Sequence, residues 1–164
     1  MIQDISIVAI QPQHNVAIAT IIRAALKEFN ANKPGTVYFD ATTDALFELF
    51  NANTKSKYFV ALQNNEVVGG AGIFPTEGLP NDTCELVKMY LHPSVRNIGL
   101  GKLMIAQCIA TAKAMGFKKI YLETLPELNK AVKVYEAFGF NYLPQPLGNS
   151  GHTGCDIWMI KDIE

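Results

Sequence analysis

With 164 residues the chain can bury one core and is too short for two domains of ordinary size, so a single domain over 1–164 is expected. Apolar residues make up 49% and charged residues 18%, a globular balance, and no uninterrupted apolar run reaches membrane-spanning length. A formal net charge of −1 argues against a nucleic-acid or anionic-membrane partner and leaves small amines and peptides open.

Met1-Ile2-Gln3-Asp4 sets no basic segment ahead of an apolar one, so the expectation is no secretory leader and a cytoplasmic protein. Ile5 to Ile10 reads as a first strand, stopped at Gln11-Pro12. Ala19, Ile22, Leu26 and Phe29 share one face of a helix over 15–29. Asn30-Ala31-Asn32-Lys33-Pro34-Gly35 breaks it, and Thr42 or Thr43 is placed to cap a second helix bearing Leu46, Leu49 and Phe50. Strands over 58–62 and 67–74 flank a polar hairpin turn, Gln63-Asn64-Asn65-Glu66. Gly69, Gly70 and Gly72 weaken the second of these unless a bulge or a close neighbour needs the space.

A strand over 84–91 then runs into Pro93, which lacks an N–H and cannot continue the ladder. Leu100, Leu103, Met104, Gln107, Cys108, Thr111 and Met115 follow at helical spacing, with Ile105 and Ile109 widening the stripe. A strand over 119–124, a helix over 128–138, a short strand at Asn141-Tyr142-Leu143 and a last strand over 156–160 complete the order β-α-α-β-β-β-α-β-α-β-β.

The segment Arg96-Asn97-Ile98-Gly99-Leu100-Gly101-Lys102 stands between strand and helix. Unpaired amides of a first helical turn attract an anion, glycines let it approach the backbone, and Arg96 and Lys102 add positive charge. A P-loop is excluded because Leu103 stands where a hydroxyl should bind magnesium. A dinucleotide fingerprint is excluded because Met104 replaces the third small residue. What remains, Arg/Gln-x-x-Gly-x-Gly, resembles the pyrophosphate-binding loop of the GNAT superfamily of N-acetyltransferases. A second segment, Asn129 to Phe140, is similar to that superfamily's Asn-x-x-Ala-x-x-x-Tyr-Glu-x-x-Gly-Phe helix.

This resemblance implies an α/β (α+β) fold: a central mixed, mostly antiparallel twisted sheet of about six to seven strands flanked by four helices. It also implies acetyl-CoA as cosubstrate, held by the amides of Asn97, Ile98, Gly99, Leu100, Gly101 and Lys102, with Arg96 and Asn129 beside it. Met89 and Leu91 would lie along the pantetheine arm, the Met89 N–H facing the thioester oxygen. Tyr135 would face the leaving thiolate and Glu85 would serve as base, with Glu123 the runner-up. The structural alternatives are a core Tyr135, a helix-capping or first-turn Asn129, and a Glu85 that orients substrate or pairs with Lys88.

The acceptor, a small-molecule or peptide amine, is expected between residues 30–40 and the loop Gly148-Asn149-Ser150-Gly151-His152-Thr153-Gly154-Cys155-Asp156. Tyr38, Asp40, His152 and Asp156 are its candidate contacts, with Phe39 and Trp158 as further walls. No metal is expected, since His152 and Cys155 offer at most two ligands. The three cysteines read as reduced thiols, and His14 and His92 as surface residues. The apolar last strand could pair across a two-fold axis in a homodimer. A non-catalytic acyl-CoA sensor, or an acyltransferase using another acyl-CoA or a hydroxyl acceptor, are the alternative functions.

Overall fold

Runs of apolar residues without polar breaks mark strands covered on both faces, and Lys57–Gln63 (β2) is one of them. Its Tyr58 and Val60 enter one apolar cluster and its Phe59 and Ala61 another, on the opposite side of the sheet. The computed structural model describes residues 4–164, so the expectation for Met1 to Gln3 lies outside them. Seven strands form one sheet: Ile5–Ala9 (β1), β2, Glu66–Phe74 (β3), Thr83–Leu91 (β4), Lys119–Thr124 (β5), Asn141–Leu143 (β6) and Ile157–Asp162 (β7). Their spatial order is β1-β2-β3-β4-β5-β7-β6, and only β4 and β5 are parallel. Four helices accompany them: Asn15–Glu28 (α1), Leu46–Asn51 (α2), Leu100–Ala114 (α3) and Asn129–Ala137 (α4). The element order and the mixed sheet are those expected.

On one face α1 and α2 bury Ile18, Ile22, Leu26, Leu46 and Phe50 against Tyr58 and Val60. On the other, α3 buries Leu100, Met104, Ile105, Cys108 and Ala112, joined by Tyr135 of α4. Each fully buried aliphatic side chain contributes about 1.5–3 kcal/mol. The buried stripe of α3 differs from the expected one at its edge: Leu103 is 45% exposed, and Ala112 lies inside beside the expected Ile105. Neither Thr42 nor Thr43 caps α2. Asp40 caps a short 3-10 turn by accepting from the Thr42 N–H, and Thr43 donates to the Val37 carbonyl. His14 is buried, not on the surface, and its Nδ1 accepts from the Gln11 N–H. The polar hairpin turn is as short as hairpins allow, with Asn64 and Asn65 both at positive φ (52° and 65°).

The last strand is not the outermost of the sheet: β5 pairs along the whole of β7 on one edge, and β6 covers Trp158 to Ile160 on the other. Among the described residues no helix is long and apolar enough to cross a membrane.

Candidate active site

Two devices open a cavity in the middle of the sheet. The first is a fork: β4 and β5 pair only through Thr83, Cys84 and Glu85, opposite Lys119, Ile120 and Tyr121. Beyond Glu85 the two strands part, and the β5-facing edge of β4 has no strand partner. The second is a bulge: the β3 register jumps from Gly70 opposite Tyr90 to Gly72 opposite Val87, and Lys88 lies at φ 51°. A left-handed lysine costs about 1–2 kcal/mol. The Tyr58 hydroxyl holds the bulge by donating to the Lys88 carbonyl at 2.7 Å. This contact explains the glycine-rich strand, because a Cβ on Gly70 would stand 2.4 Å from the Tyr58 hydroxyl and one on Gly72 2.6 Å from that ring.

The resulting cavity has a volume of about 690 Å³. At one end the loop after β4 turns through Asn97 (φ 63°) and Gly99 (φ 91°), a left-handed residue immediately before α3. The first bond of that helix joins the Leu103 N–H to the Gly99 carbonyl, so the amides of Leu100, Gly101 and Lys102 precede the ladder and remain open. Gly101 faces Met89, with 3.1 Å between a built Cβ and the methionine methyl. Leu100 itself is core, so it can serve a ligand only through its backbone.

Arg96 differs from expectation in its charge. Its Nε donates to the Leu91 carbonyl, its Nη1 pairs with Glu28 at 2.8 Å, and its guanidinium lies over the Phe29 ring. It ties the loop to α1 and brings little free positive charge. Lys102 and Lys130 are exposed cations that line the cavity, and Asn129 lines it from the first turn of α4, where Leu128 holds the cap position.

At the centre Glu85 is 4% exposed and accepts from the Thr76 hydroxyl at 2.6 Å. Burial pushes its carboxyl up to about 7, and the carboxylate of Glu123 adds to the shift. Lys88 is not its hydrogen-bonded partner. Tyr135 faces the cavity from α4, packed edge-on against Phe140, and burial raises its phenol above the ordinary range. Glu123 is spoken for, accepting from the Tyr121 and Ser150 hydroxyls.

The two loops expected to face the acceptor both line the cavity. Thr36 and Val37 come from the first, and His152 and Cys155 from the second. The loops are laced together: the Gly154 N–H donates to the Gly35 carbonyl, and a Cβ on Gly154 would stand 2.6 Å from the Pro34 carbonyl. Of the four candidate contacts only His152 lines the cavity. Asp40 stands behind it, accepting from His152 Nε2 at 3.0 Å and lying 3.7 Å from Lys88 Nζ. These partners, His152 first, hold its carboxyl far below the usual range. Tyr38 is turned to the outer surface, where its carbonyl accepts from Arg23, and Phe39 is 63% exposed. Asp156 is exposed and bonds Thr124 through its backbone, while Trp158 sits in the β7 ladder opposite Glu123. None of these last four lines the cavity.

Sequence reasoning missed Lys88 as a site residue, although a lysine inside Leu86-Val87-Lys88-Met89-Tyr90 breaks an apolar strand and is a readable signal. Thr76, the partner of Glu85, sits in an ordinary loop and offers none. Among the described residues no group of three or more His, Cys, Asp and Glu is placed to hold a metal ion.

The acetyltransferase (GNAT) family matches residues 22–140 of the chain. The uncharacterized N-acetyltransferase YjgM of Escherichia coli (strain K12) is 39% identical over 153 residues, 92% of this chain and 90% of that protein. An acetyltransferase of GNAT family from Staphylococcus aureus Mu50 shares the fold with a TM-score of 0.84 at 23% identity, over 98% of this chain and 99% of that one. The structure of yncA from Salmonella typhimurium with its cofactor acetyl-CoA shares it with a TM-score of 0.77 at 18% identity, over 99% and 95%.

Proposed function

The chain belongs to the acetyltransferase (GNAT) family, and on that premise we propose that it moves an acetyl group from acetyl-CoA to a primary amine in a ternary complex. The observation that carries this reading is the fork itself. Glu85 sits where β4 and β5 part, the open edge of β4 runs from it to the amides before α3, and Tyr135 faces the same space. An extended pantetheine arm can add to such an edge as a strand would. The pyrophosphate would meet the amides of residues 97–102, where Gly99 and Gly101 keep side chains out of its way.

Acetyl-CoA supplies the activated acyl carbon. Glu85, half ionised near neutral pH, takes a proton from the incoming ammonium or its water, and the neutral nitrogen attacks the thioester carbonyl. The carbon–sulfur bond breaks, its electron pair leaves on sulfur, and the second nitrogen proton passes to solvent as the amide forms. Because burial raises the Tyr135 phenol, its role is to donate a hydrogen bond to that thiolate and not to surrender the proton; solvent protonates the thiol after release.

Amine-dependent release of free thiol from acetyl-CoA tests the reading; acetyl-CoA binding without turnover on any amine would overturn it. Tyr135→Phe is expected to lower kcat by about 10- to 100-fold, the cost of one hydrogen bond to a charged atom, with KM for acetyl-CoA little changed. Gly99→Ala is expected to raise that KM about tenfold and leave kcat near the wild type, since a left-handed alanine costs about 1–2 kcal/mol. Titration of acetyl-CoA against both variants checks this split.

A further inference from the structure

Resting on the N-acetyltransferase reading, we propose that the acceptor carries a carboxylate beside its reacting amine, as an amino acid does, and that the Lys88 ammonium binds that carboxylate. Lys88 is 8% exposed, and its side chain 5%, yet it lines the cavity. An ammonium has three donors. Among the described residues no protein acceptor lies within hydrogen-bond distance of Nζ, and Asp40 Oδ2, at 3.7 Å, stands outside it. Asp40 is meanwhile satisfied by the Thr42 amide, the Thr42 hydroxyl and His152. Asp40 pairs with this ammonium only at 3.7 Å, so its donors are left to the cavity, where an anionic ligand would supply the hydrogen bonds that Asp40 does not.

The fold goes to some length to put it there. In an unbroken strand Val87 and Lys88 would point to opposite faces. The bulge turns Lys88 to the side of Val87, Glu85, Asp40 and His152, and Tyr58, seated in the space left by Gly70 and Gly72, fixes the bulge through the Lys88 carbonyl. Glu85 and Lys88 are close enough to feel each other's charge, and His152 acts on Glu85 as well. A carboxylate base and an ammonium paired only at 3.7 Å, three positions apart on one wall, match the two charges of a zwitterion, ammonium toward Glu85 and carboxylate toward Lys88.

The test uses matched triples: glycine, lysine, phenylalanine and histidine, each with its carboxamide and its decarboxylated amine, read by thiol release from acetyl-CoA. The carboxamide controls for amine basicity, because its amine is the more readily deprotonated and basicity alone would favour it. At least one free acid is expected to exceed its amide and its amine about tenfold or more in kcat/KM. Lys88→Met is expected to bring that ratio near one by raising KM for the acid, with KM for acetyl-CoA unchanged. Equal turnover of acid and amide, or preference for the amides or plain amines, overturns the role of Lys88 and leaves the N-acetyltransferase reading standing. Absence of turnover on every amine overturns both. Should Lys88→Met fail to fold, the acid-to-amide ratio of the wild type decides alone.

Discussion

Glu85→Gln is expected to lower kcat/KM by about 100-fold or more, the usual contribution of a positioned general base, while making the folded protein more stable at alkaline pH. The two effects share one cause. The Glu85 carboxyl is pushed up to about 7 by burial, from an ordinary value of 4.5. Between those values the folded state holds a proton that the unfolded chain has released, so stability is lost as pH rises through that window. Glutamine cannot ionise and can still accept from the Thr76 hydroxyl. At pH 8 the variant should therefore be more stable by on the order of 3 kcal/mol, and at pH 4 the two proteins should melt together. Thermal melts at the two pH values check the sign.

The activity profile carries an independent mark. Attack needs a neutral amine, and in the wild type Glu85 makes it from the bound ammonium, so log kcat/KM should be level between about pH 7 and the pKa of the acceptor and fall with a slope of one below pH 7 as Glu85 protonates. In Glu85→Gln only the free neutral amine can react, and the slope should be one all the way up to the pKa of the acceptor. A wild-type slope of one throughout, or a variant that keeps its activity, would move the base to a water chain or to Glu123.

Gly70→Ala should be the most damaging single methyl in the sheet. The new Cβ would meet the Tyr58 hydroxyl at 2.4 Å, its Cε1 at 2.7 Å and the Ile18 Cδ1 at 2.8 Å. Tyr58 and Ile18 are both fully buried, so neither can step aside. Overpacking costs about 1–3 kcal/mol, and displacing Tyr58 strands the Lys88 carbonyl for about 1–3 kcal/mol more. A fall in Tm on the order of 10 °C follows. Gly116→Ala is the control: its φ is +91°, but nothing lies within 4 Å of a built Cβ, so only the backbone cost of about 1–2 kcal/mol should appear. Equal melting temperatures for the two variants would show that the Tyr58 contact does not constrain the strand.

Much of the site was legible because it is local. The run from Arg96 to Lys102 contains its own glycines, its own helix start and its own open amides. The same holds for Asn129 and Tyr135, six residues apart on one short helix. Legibility stopped at the acceptor pocket. Asp40 and His152 were picked from loops with no periodic pattern, and so were Tyr38 and Asp156; only His152 lines the cavity, with Asp40 bonded behind it. Charge balance was equally hidden: Arg96 read as a free cation until Glu28, 68 positions away, was found against it.

The sequence by itself determined the order of elements, the hairpin at Asn64 and Asn65, the glycine turn before α3 and the family, since each depends on residues within a few positions of one another. Only the tertiary structure decided which strand is an edge, where β4 bulges and which charges are spent. The last strand became interior over Trp158 to Ile160 when β6 paired beyond it. The meeting of Asp40 with His152 spans 112 positions, and the exposure of Lys88 to a cavity depends on Tyr58 from another strand. Such contacts arise from close packing of the whole sheet, which no local pattern encodes.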